Sequence, residues 1–177
     1  MKISLITATY NCEKLISQTL ESLISQNYTN IEYIVIDGKS EDDTLQVIEN
    51  YKDKFNQIKI ISEPDNGLYE AMNKGIKLAT GDIVGILNAG DYYTSNDILS
   101  NIVKVFEKNP DLKSAYGDLK YINEKSETVR YWKSGEFSIK KIYQGWIPPH
   151  PAFFVRNEIY KKYGYFDTNL TISADYE

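Results

Sequence analysis

Residues 2–36, KISLITATYNCEKLISQTLESLISQNYTNIEYIVI, contain the pattern that decides the fold class. Lys2–Thr7 is a short apolar run typical of a buried strand, and Ile31–Ile36 is a second run enriched in β-branched residues. Between the two runs, apolar residues recur at helical spacing: Leu15, Ile16, Leu20, Leu23 and Ile24. The stretch therefore predicts a strand, a helix and a second buried strand in succession.

The same alternation continues in the residues that follow. Ser40 with Asp43 resembles a capping box and predicts the start of a second helix, whose apolar residues are Leu45, Ile48 and Tyr51. Ile58–Ser62 predicts a third strand and Ile83–Leu87 a fourth. The helix between these strands places four apolar residues on one face: Tyr69, Met72, Ile76 and Ala79.

Buried strands that alternate with helices favour a mostly parallel sheet with right-handed crossovers and helices on its faces. Ligands of such sheets bind beyond the carboxyl ends of the strands. Four segments should therefore meet at one edge of the sheet: Thr7–Asn11, Asp37–Ser40, Glu63–Gly67 and Asn88–Tyr93.

The regular alternation weakens after residue 93. A fourth helix is predicted around Ile98–Phe106 and should end before Asn109-Pro110. Alternating polarity in Ala115–Tyr121 and Thr128–Trp132 predicts a small antiparallel portion, and Trp146–Pro151 predicts a loop. Because no linker separates the two parts, we interpret residues 1–177 as a single domain with a first half, residues 1–93, and a second half, residues 94–177.

Composition excludes several classes of protein. A content of 42% hydrophobic residues supports a packed core, and 20 Lys and Arg against 25 Asp and Glu, without a basic run, disfavour a nucleic-acid groove. Apolar runs as short as Ile83–Leu87 do not span a bilayer. The polar residues Asn11 and Glu13 interrupt the first apolar patch, so we expect no signal peptide and a cytoplasmic protein.

Two carboxylates follow predicted strands. Asp91 ends the segment Leu87–Asp91, where it could hold a hard dication against the phosphates of a ligand, and Asp37 follows the second strand, where it could accept a hydrogen bond from a base or a ribose. Asp beside Gly is also an ordinary turn residue, so either side chain could serve the turn alone. These residues by themselves leave both interpretations open.

Five short motifs in a fixed order make the chain resemble a family 2 glycosyltransferase with the Rossmann-like GT-A fold, as in bacterial capsule, O-antigen and exopolysaccharide assembly. They are Thr7–Asn11, Val35–Ser40, Glu63–Gly75, Ala79–Asp82 and Leu87–Asp91. The resemblance extends to His150–Phe154 and Ser173–Glu177. It implies transfer of a sugar, with inversion, from a nucleoside diphosphate donor, with a UDP-sugar favoured, to the hydroxyl of a glycan or a lipid-linked saccharide.

The resemblance also implies roles for individual residues. The nucleotide site that it implies in the first half comprises Ala8, Thr9, Tyr10, Asp37, Asp65, Asn73, Lys74 and Asn88. Asp91 matches the last acidic position of the family's metal-binding motif, and Asp175 matches its catalytic Asp. An inverting transfer needs a general base on the acceptor and charge stabilisation on the leaving diphosphate, and these two carboxylates suit those tasks. Glu177 is the weaker candidate for the base.

This chain departs from the family pattern at two positions. Asp37-Gly38 stands where many members have adjacent acids, and Asn88–Asp91 stands where many have an Asp-x-Asp-Asp run. One carboxylate with an amide oxygen predicts Mn²⁺ or Mg²⁺ binding that depends on the nucleotide's own phosphates. Because Asp175 lies close to the last residue of a chain whose relatives usually continue, we expect donor binding but poor transfer by these 177 residues.

The acceptor side offers two aromatic candidates. His150, between two prolines, could contact the diphosphate, a metal or the acceptor, or be a plain loop residue. Trp146 could stack on a sugar face or simply pack. Residues beyond this chain could attach the enzyme to the inner face of the membrane.

Other functions remain as alternatives. A nicotinamide enzyme is disfavoured because no Gly-x-Gly-x-x-Gly follows the first strand, and the Gly-rich basic loop of a sugar nucleotidyltransferase is missing. The thinned acidic motif leaves a non-catalytic nucleotide- or glycan-binding domain as the alternative from a different class.

Overall fold

The computed structural model describes residues 1–170 and residue 174. Strands and helices alternate through the first half of the chain. They are β1 (Ile3–Thr9), α1 (Ile16–Ile24), β2 (Ile31–Asp37), α2 (Thr44–Tyr51), β3 (Ile58–Ser62), α3 (Leu68–Leu78) and β4 (Ile83–Ile86). The alternation predicted from the sequence is confirmed, with strand ends shifted by one or two residues.

The second half adds further helices and strands. They are α4 (Ile98–Lys108), β5 (Ser114–Tyr116), β6 (Leu119–Ile122), β7 (Thr128–Trp132), α5 (Ile139–Ile142), β8 (Phe153–Arg156) and α6 (Asn157–Tyr163). One turn of 3-10 helix at His150–Ala152 leads directly into β8.

The main sheet has six strands in the order β3-β2-β1-β4-β8-β5. The first four are parallel, and β8 runs antiparallel to both of its neighbours, β4 and β5. A separate two-stranded antiparallel sheet pairs β6 with β7. The predicted fold class, a mostly parallel sheet flanked by helices with a small antiparallel portion, is confirmed.

Side chains from the two faces of the sheet form two cores. β1 is buried along its whole length, and its alternating residues enter opposite cores, Leu5 on the face covered by α1, α2 and α4 and Ile6 on the face covered by α3. A Cβ on Gly75 of α3 would lie 2.4 Å from Cγ2 of Ile6. Only glycine therefore lets α3 approach the middle of the sheet so closely.

Two local predictions are wrong. Ala115–Tyr121 is not one strand, because the chain turns at Gly117 and Asp118, and its two parts join different sheets as β5 and β6. Ser40 does not cap α2. Its hydroxyl donates to Asp37 instead, and Asp42 accepts the Thr44 N–H at 3.0 Å.

Part of the predicted loop at Trp146–Pro151 is a 3-10 turn, and the strand that follows it, β8, was not predicted. β8 pairs with β4 at Ile83↔Arg156, so the second half of the chain completes the sheet of the first. No helix within residues 1–170 is long and apolar enough to cross a membrane.

Candidate active site

The candidate site lies at the carboxyl ends of the parallel strands. β2 and β3 lie on one side of β1 and β4 on the other, so the strand order reverses between β1 and β4 and opens a crevice there. The register Thr9↔Asp37 and Asp37↔Ser62 brings the ends of the first three strands level. The structure thus brings together the strand ends that the sequence pointed to.

Asp37 lies at the centre of this edge and is fully buried. Its carboxylate accepts hydrogen bonds from the Ser40 N–H at 2.9 Å, the Ser62 hydroxyl at 2.7 Å and the Thr9 hydroxyl at 3.1 Å. The Ser40 hydroxyl donates a fourth at 2.5 Å. These bonds position the loop after β2, and a direct contact of Asp37 with a base or ribose, which stays a prediction, would exchange one of them.

The loops after β1 and β2 brace each other. Asn11, with φ of 46°, accepts the Glu41 N–H on its side-chain oxygen at 2.9 Å, and its own N–H donates to the Ser40 hydroxyl at 2.9 Å. The Cys12 N–H donates to the Thr44 hydroxyl at 2.8 Å. These bonds fix the crevice wall before any ligand arrives.

Ala8, Thr9 and Tyr10 follow one another at the carboxyl end of β1. Ala8 and Thr9 are buried as the last residues of β1, and the Tyr10 side chain is 63% exposed beyond them. An exposed tyrosine ring beside a braced loop can cover one face of a planar ligand.

The opposite wall is the loop after β4, which carries Asn88 and Asp91. The buried hydroxyl of Thr19 on α1 accepts the Gly90 N–H at 3.0 Å and donates to the Asp91 carbonyl at 2.8 Å. Gly90 has φ of 95°, which suits glycine at this turn. Thr19 was not predicted, although a hydroxyl among the apolar residues of the inward face of α1 was a signal for it.

The Asp91 carboxylate has no hydrogen-bond or ion-pair partner among the described residues, and burial raises its pKa above the ordinary value for an aspartate. Oδ1 of Asn88 is also buried without a partner within that part of the chain. The Asn88 amide nitrogen lies 3.3 Å from Nε2 of His150. These groups meet at the point where the strand order reverses.

The same groups decide whether a divalent cation fits this site. Residues 1–170 contain no group of three or more His, Cys, Asp or Glu arranged for a metal. An unpaired carboxylate and an orphaned amide oxygen nevertheless supply two hard oxygen ligands, and a diphosphate would supply the others. The residues fit a dication that binds together with a nucleotide.

Two residues predicted to bind the nucleotide, Asn73 and Lys74, make contacts with other residues of the protein. The Asn73 side chain exchanges two hydrogen bonds with the backbone of Phe166, at 2.8 and 3.0 Å. Lys74 pairs with Glu63 at 3.1 Å and with Glu70 at 3.2 Å. Both side chains thus hold neighbouring segments in place, Lys74 at the turn after β3, and their contact with a nucleotide stays a prediction.

Asp65 lies in the turn after β3, where its Oδ1 accepts the Gly67 N–H at 3.0 Å.

Of the acceptor-side residues, Trp146 donates from Nε1 to the Ser134 carbonyl at 3.0 Å and packs edge-on against Tyr116 and Phe137. Trp146 thus packs within this segment, and its contact with an acceptor sugar stays a prediction. Asp175 lies outside the described residues.

His150 borders a cavity of about 690 Å³ on the face of β4, β8 and β5 opposite α4. Its ring also packs edge-on against Phe166, which lines the same cavity with Tyr160 and Tyr165. The cavity gives this side of the crevice an aromatic lining.

Comparisons with known proteins agree with this geometry. The family model for glycosyl transferase family 2 matches residues 4–166. An uncharacterized glycosyltransferase of Mycobacterium tuberculosis is 31% identical over 177 residues, covering 99% of this chain and 66% of the relative. A glycosyltransferase of PGL/p-HBAD biosynthesis from Mycobacterium bovis is 26% identical over 98% of this chain and 66% of its own length.

Solved structures show the same fold. Staphylococcus aureus TarS 1–349 in complex with UDP superposes with a TM-score of 0.81 at 26% identity, over 99% of this chain and 53% of that one. A mannosyltransferase from Pyrobaculum calidifontis in complex with GDP-Man and Mn²⁺ gives a TM-score of 0.74 at 20% identity, over 96% of this chain and 48% of that one.

This chain thus spans about two thirds of its curated relatives and half of these solved chains. The family model matches residues 4–166, and the sheet is a GT-A sheet with its crevice where the strand order reverses. The chain therefore belongs to glycosyl transferase family 2.

Proposed function

We propose that this chain binds a nucleoside diphosphate sugar and transfers its sugar, with inversion, to a hydroxyl of a glycan or lipid-linked saccharide in bacterial surface polysaccharide assembly. The observation that carries the proposal is that the loop after β4 of a family 2 chain holds two buried oxygen groups, the Asp91 carboxylate and Oδ1 of Asn88, without a partner among the described residues. TarS in complex with UDP-GlcNAc supports a UDP-sugar as donor. The cytoplasm, including the inner face of the membrane, supplies such donors.

The proposed reaction is a single displacement. The acceptor oxygen attacks the anomeric carbon, its proton passes to the Asp175 carboxylate, and the bond from the anomeric carbon to the diphosphate oxygen breaks. The nucleoside diphosphate leaves with both electrons of that bond. Asp91 and Asn88 would hold Mn²⁺ or Mg²⁺, which offsets the charge on the leaving diphosphate.

The proposed acceptor site lies next to His150. This residue adjoins Asn88 and borders the aromatic cavity. An acceptor in the cavity would therefore meet the donor at the loop after β4. Sugar rings pack on aromatic faces such as those of Tyr160 and Tyr165. Trp146 supports this region by packing on Tyr116.

Release of nucleotide by donor hydrolysis tests the proposal without requiring an acceptor. The chain is incubated with UDP-, GDP- and dTDP-sugars, with and without Mn²⁺, and free nucleoside diphosphate is measured. Asp91→Asn should abolish the metal-dependent part, whereas Asp111→Asn, which removes an exposed carboxylate, should leave it unchanged. Equal metal dependence in the Asp91 variant would place the metal elsewhere.

The Asp91 variant also provides its own folding control. Burial without a partner raises the pKa of Asp91, so ionisation at neutral pH destabilises the free protein, and the neutral amide removes this cost. Asp91→Asn should therefore melt no lower than the unsubstituted chain in the absence of metal.

Within residues 1–170 no full acidic cluster for a metal is present, which favours a second candidate, a non-catalytic nucleotide- or glycan-binding domain. The same assay separates the two functions. Nucleotide binding without release, with every donor and also in a chain extended to the length of its relatives, would favour the binding domain.

A further inference from the structure

The segment Gly117–Trp146, which comprises β6, β7 and α5, leaves many apolar side chains uncovered. It contains seven of the fourteen large apolar or aromatic side chains that are exposed within residues 1–170 and 174. Scattered exposed apolar residues are ordinary on a protein surface. Half of them within one segment of 30 residues indicate a binding surface.

The same segment is basic within an acidic chain. It holds six of the 20 Lys and Arg residues but four of the 25 Asp and Glu residues, which gives it a net charge of +2 in a chain of net charge −5. The six cations are Lys120, Lys125, Arg130, Lys133, Lys140 and Lys141. Within the part of the chain that the structure describes, none of the six forms an ion pair with a carboxylate, so direct pairing does not cancel their charge.

Cations and exposed rings lie side by side on the hairpin formed by β6 and β7. Lys120 is the register partner of Tyr131, so both side chains lie on one face of the hairpin. On the other face, the Arg130 guanidinium lies 5.3 Å from the centre of the Tyr121 ring and 5.8 Å from that of Trp132. Each face thus presents a basic group beside an aromatic ring.

The short helix α5 repeats this combination. The Tyr143 N–H donates to the Ile139 carbonyl at 3.3 Å, so these two exposed side chains lie one helical turn apart on the same face. Lys140 and Lys141 come between them in the sequence, and both are exposed. A Lys side chain can lay its methylene groups on an apolar surface while its ammonium group reaches a phosphate. α5 therefore offers two apolar side chains with two flexible cations beside them.

This composition fits a membrane surface better than a protein partner. Lysine is depleted at protein–protein interfaces, whereas five of the six cations of the segment are Lys. At the surface of a bilayer, Tyr and Trp rings lie at the level of the head groups, and Lys and Arg are attracted to anionic lipids. The acidic remainder of the chain is repelled by the same lipids, which favours the orientation with the segment towards the bilayer.

The segment adjoins the cavity that His150 borders. The Gly117 N–H donates to the Ala152 carbonyl at 3.0 Å, immediately after His150 in the chain. At the other end of the segment, Trp146 packs on Tyr116 of β5. A bilayer in contact with the segment would therefore lie beside the place proposed for the acceptor.

We propose that the segment Gly117–Trp146 docks this chain on an anionic lipid bilayer. Its exposed apolar side chains enter the head-group region, and its cations lie against lipid phosphates. The inference goes beyond the proposed function and does not depend on it, because docking requires neither a donor nor a metal.

Co-sedimentation with vesicles tests the docking. The full chain is mixed with vesicles of phosphatidylcholine alone, or of phosphatidylcholine and phosphatidylglycerol in equal parts, at low and at high salt. The chain should bind the mixed vesicles much more strongly, and this binding should weaken as salt screens the attraction. Each basic residue close to an anionic bilayer changes the partition coefficient by about fivefold.

A pair of double variants isolates the charge. Lys140→Gln combined with Lys141→Gln should weaken binding to the mixed vesicles by about twenty- to thirtyfold. Lys52→Gln combined with Lys54→Gln removes the same charge just before β3, which lies at the opposite edge of the main sheet from β5, and should leave binding nearly unchanged.

A pair of single variants isolates the apolar contact. Tyr143→Ser should weaken binding by about fivefold at low and at high salt, because salt does not screen the burial of a ring. Val105→Ser, which removes an exposed apolar side chain from α4, should leave binding unchanged. All the substituted side chains are exposed, so circular dichroism should show unchanged unfolding temperatures.

Several results would overturn the docking. They are no binding to the mixed vesicles, equal binding to both kinds of vesicle, and equal binding by the Lys140 and Lys141 variant. Dimers in solution that Tyr143→Ser dissociates, without vesicle binding, would instead make the segment an interface between copies of this chain. Donor hydrolysis without vesicles reports on the proposed function separately and should be the same in the Lys140 and Lys141 variant as in the unsubstituted chain.

Discussion

The parallel strands and the segment from Gly117 to Trp146 are stabilised in contrasting ways. Every residue of β1 is buried, whereas the segment exposes 64% of Val129, 60% of Phe137 and 86% of Tyr143. Polar contacts hold the segment: Asp118 accepts from the Tyr131 hydroxyl and the Ser134 N–H, and the Ser134 carbonyl accepts from Trp146. The proposed donor site thus rests on a packed core, and the proposed acceptor side rests on a few hydrogen bonds.

The largest expected effect concerns the strand by which the second half of the chain enters the core. Phe154 on β8 is 2% exposed and packs in the core on the face of the sheet covered by α1, α2 and α4. Phe154→Ala should therefore lower the free energy of unfolding by about 3–5 kcal/mol. Phe137→Ala, in the exposed segment, should change it by less than about 0.5 kcal/mol. Urea unfolding followed by circular dichroism measures both, and equal losses would show that the segment is as tightly packed as the sheet.

A smaller effect is expected at the amino end of the sheet. Glu32 on β2 is partly buried, which opposes ionisation, but hydrogen bonds from Lys2, Ser4 and Thr80 outweigh this and lower its pKa to about 2. Its stabilisation is fully present above pH 4.5, the ordinary pKa, and is lost as the pH falls towards 2. Glu32→Gln should therefore cost at most about 3 kcal/mol at pH 7.

Unfolding of the Glu32 variant and of the unsubstituted chain at a series of pH values checks this sign. The two curves should converge near pH 2. A difference that grows as the pH falls would contradict the assignment.

The smallest effect is expected at the loop after β4, which carries Asn88 and Asp91. Thr19→Val removes the hydroxyl that holds Gly90 and Asp91, at a cost of about 1 kcal/mol in stability, and should weaken nucleotide binding in the presence of Mg²⁺ more than in its absence. Thr128→Val, on the exposed β7, is the control and should alter neither quantity. Calorimetry with and without Mg²⁺ gives the comparison, and an unchanged metal effect in Thr19→Val would remove its positioning role.

The fold could be predicted from the sequence largely because its strands are buried on both faces. Runs such as Ile31–Ile36 have few alternative structures, and the helices between them have clear apolar faces. β8 could not be predicted, because Phe153–Arg156 is too short to show a period and forms a strand only by pairing with β4 and β5. Local patterns carry no information about such distant partners.

The candidate site was predictable in position but less so in the role of each side chain. Strand ends identified Asp37, Asn88 and Asp91, because polar residues after buried strands are conspicuous. Whether a carboxylate is free to contact a ligand depends on which hydroxyls far along the chain donate to it, as the Ser62 hydroxyl donates to Asp37. The roles assigned to Asp175, His150 and the nucleotide residues remain predictions.

The pairing of β8 with β4 also has a consequence for how the protein is made. β4 has hydrogen-bonded neighbours on both sides only after residues 153–156 have paired with it. The Asn73 side chain likewise donates a hydrogen bond to Phe166, which lies 93 residues later in the chain. During synthesis, a ribosome-bound chain that ends near Asp91 would expose the outer edge of β4 as a template for pairing with other chains. Closure of the sheet must wait for nearly the whole described length to emerge, which gives nascent-chain chaperones a defined interval in which to cover that edge.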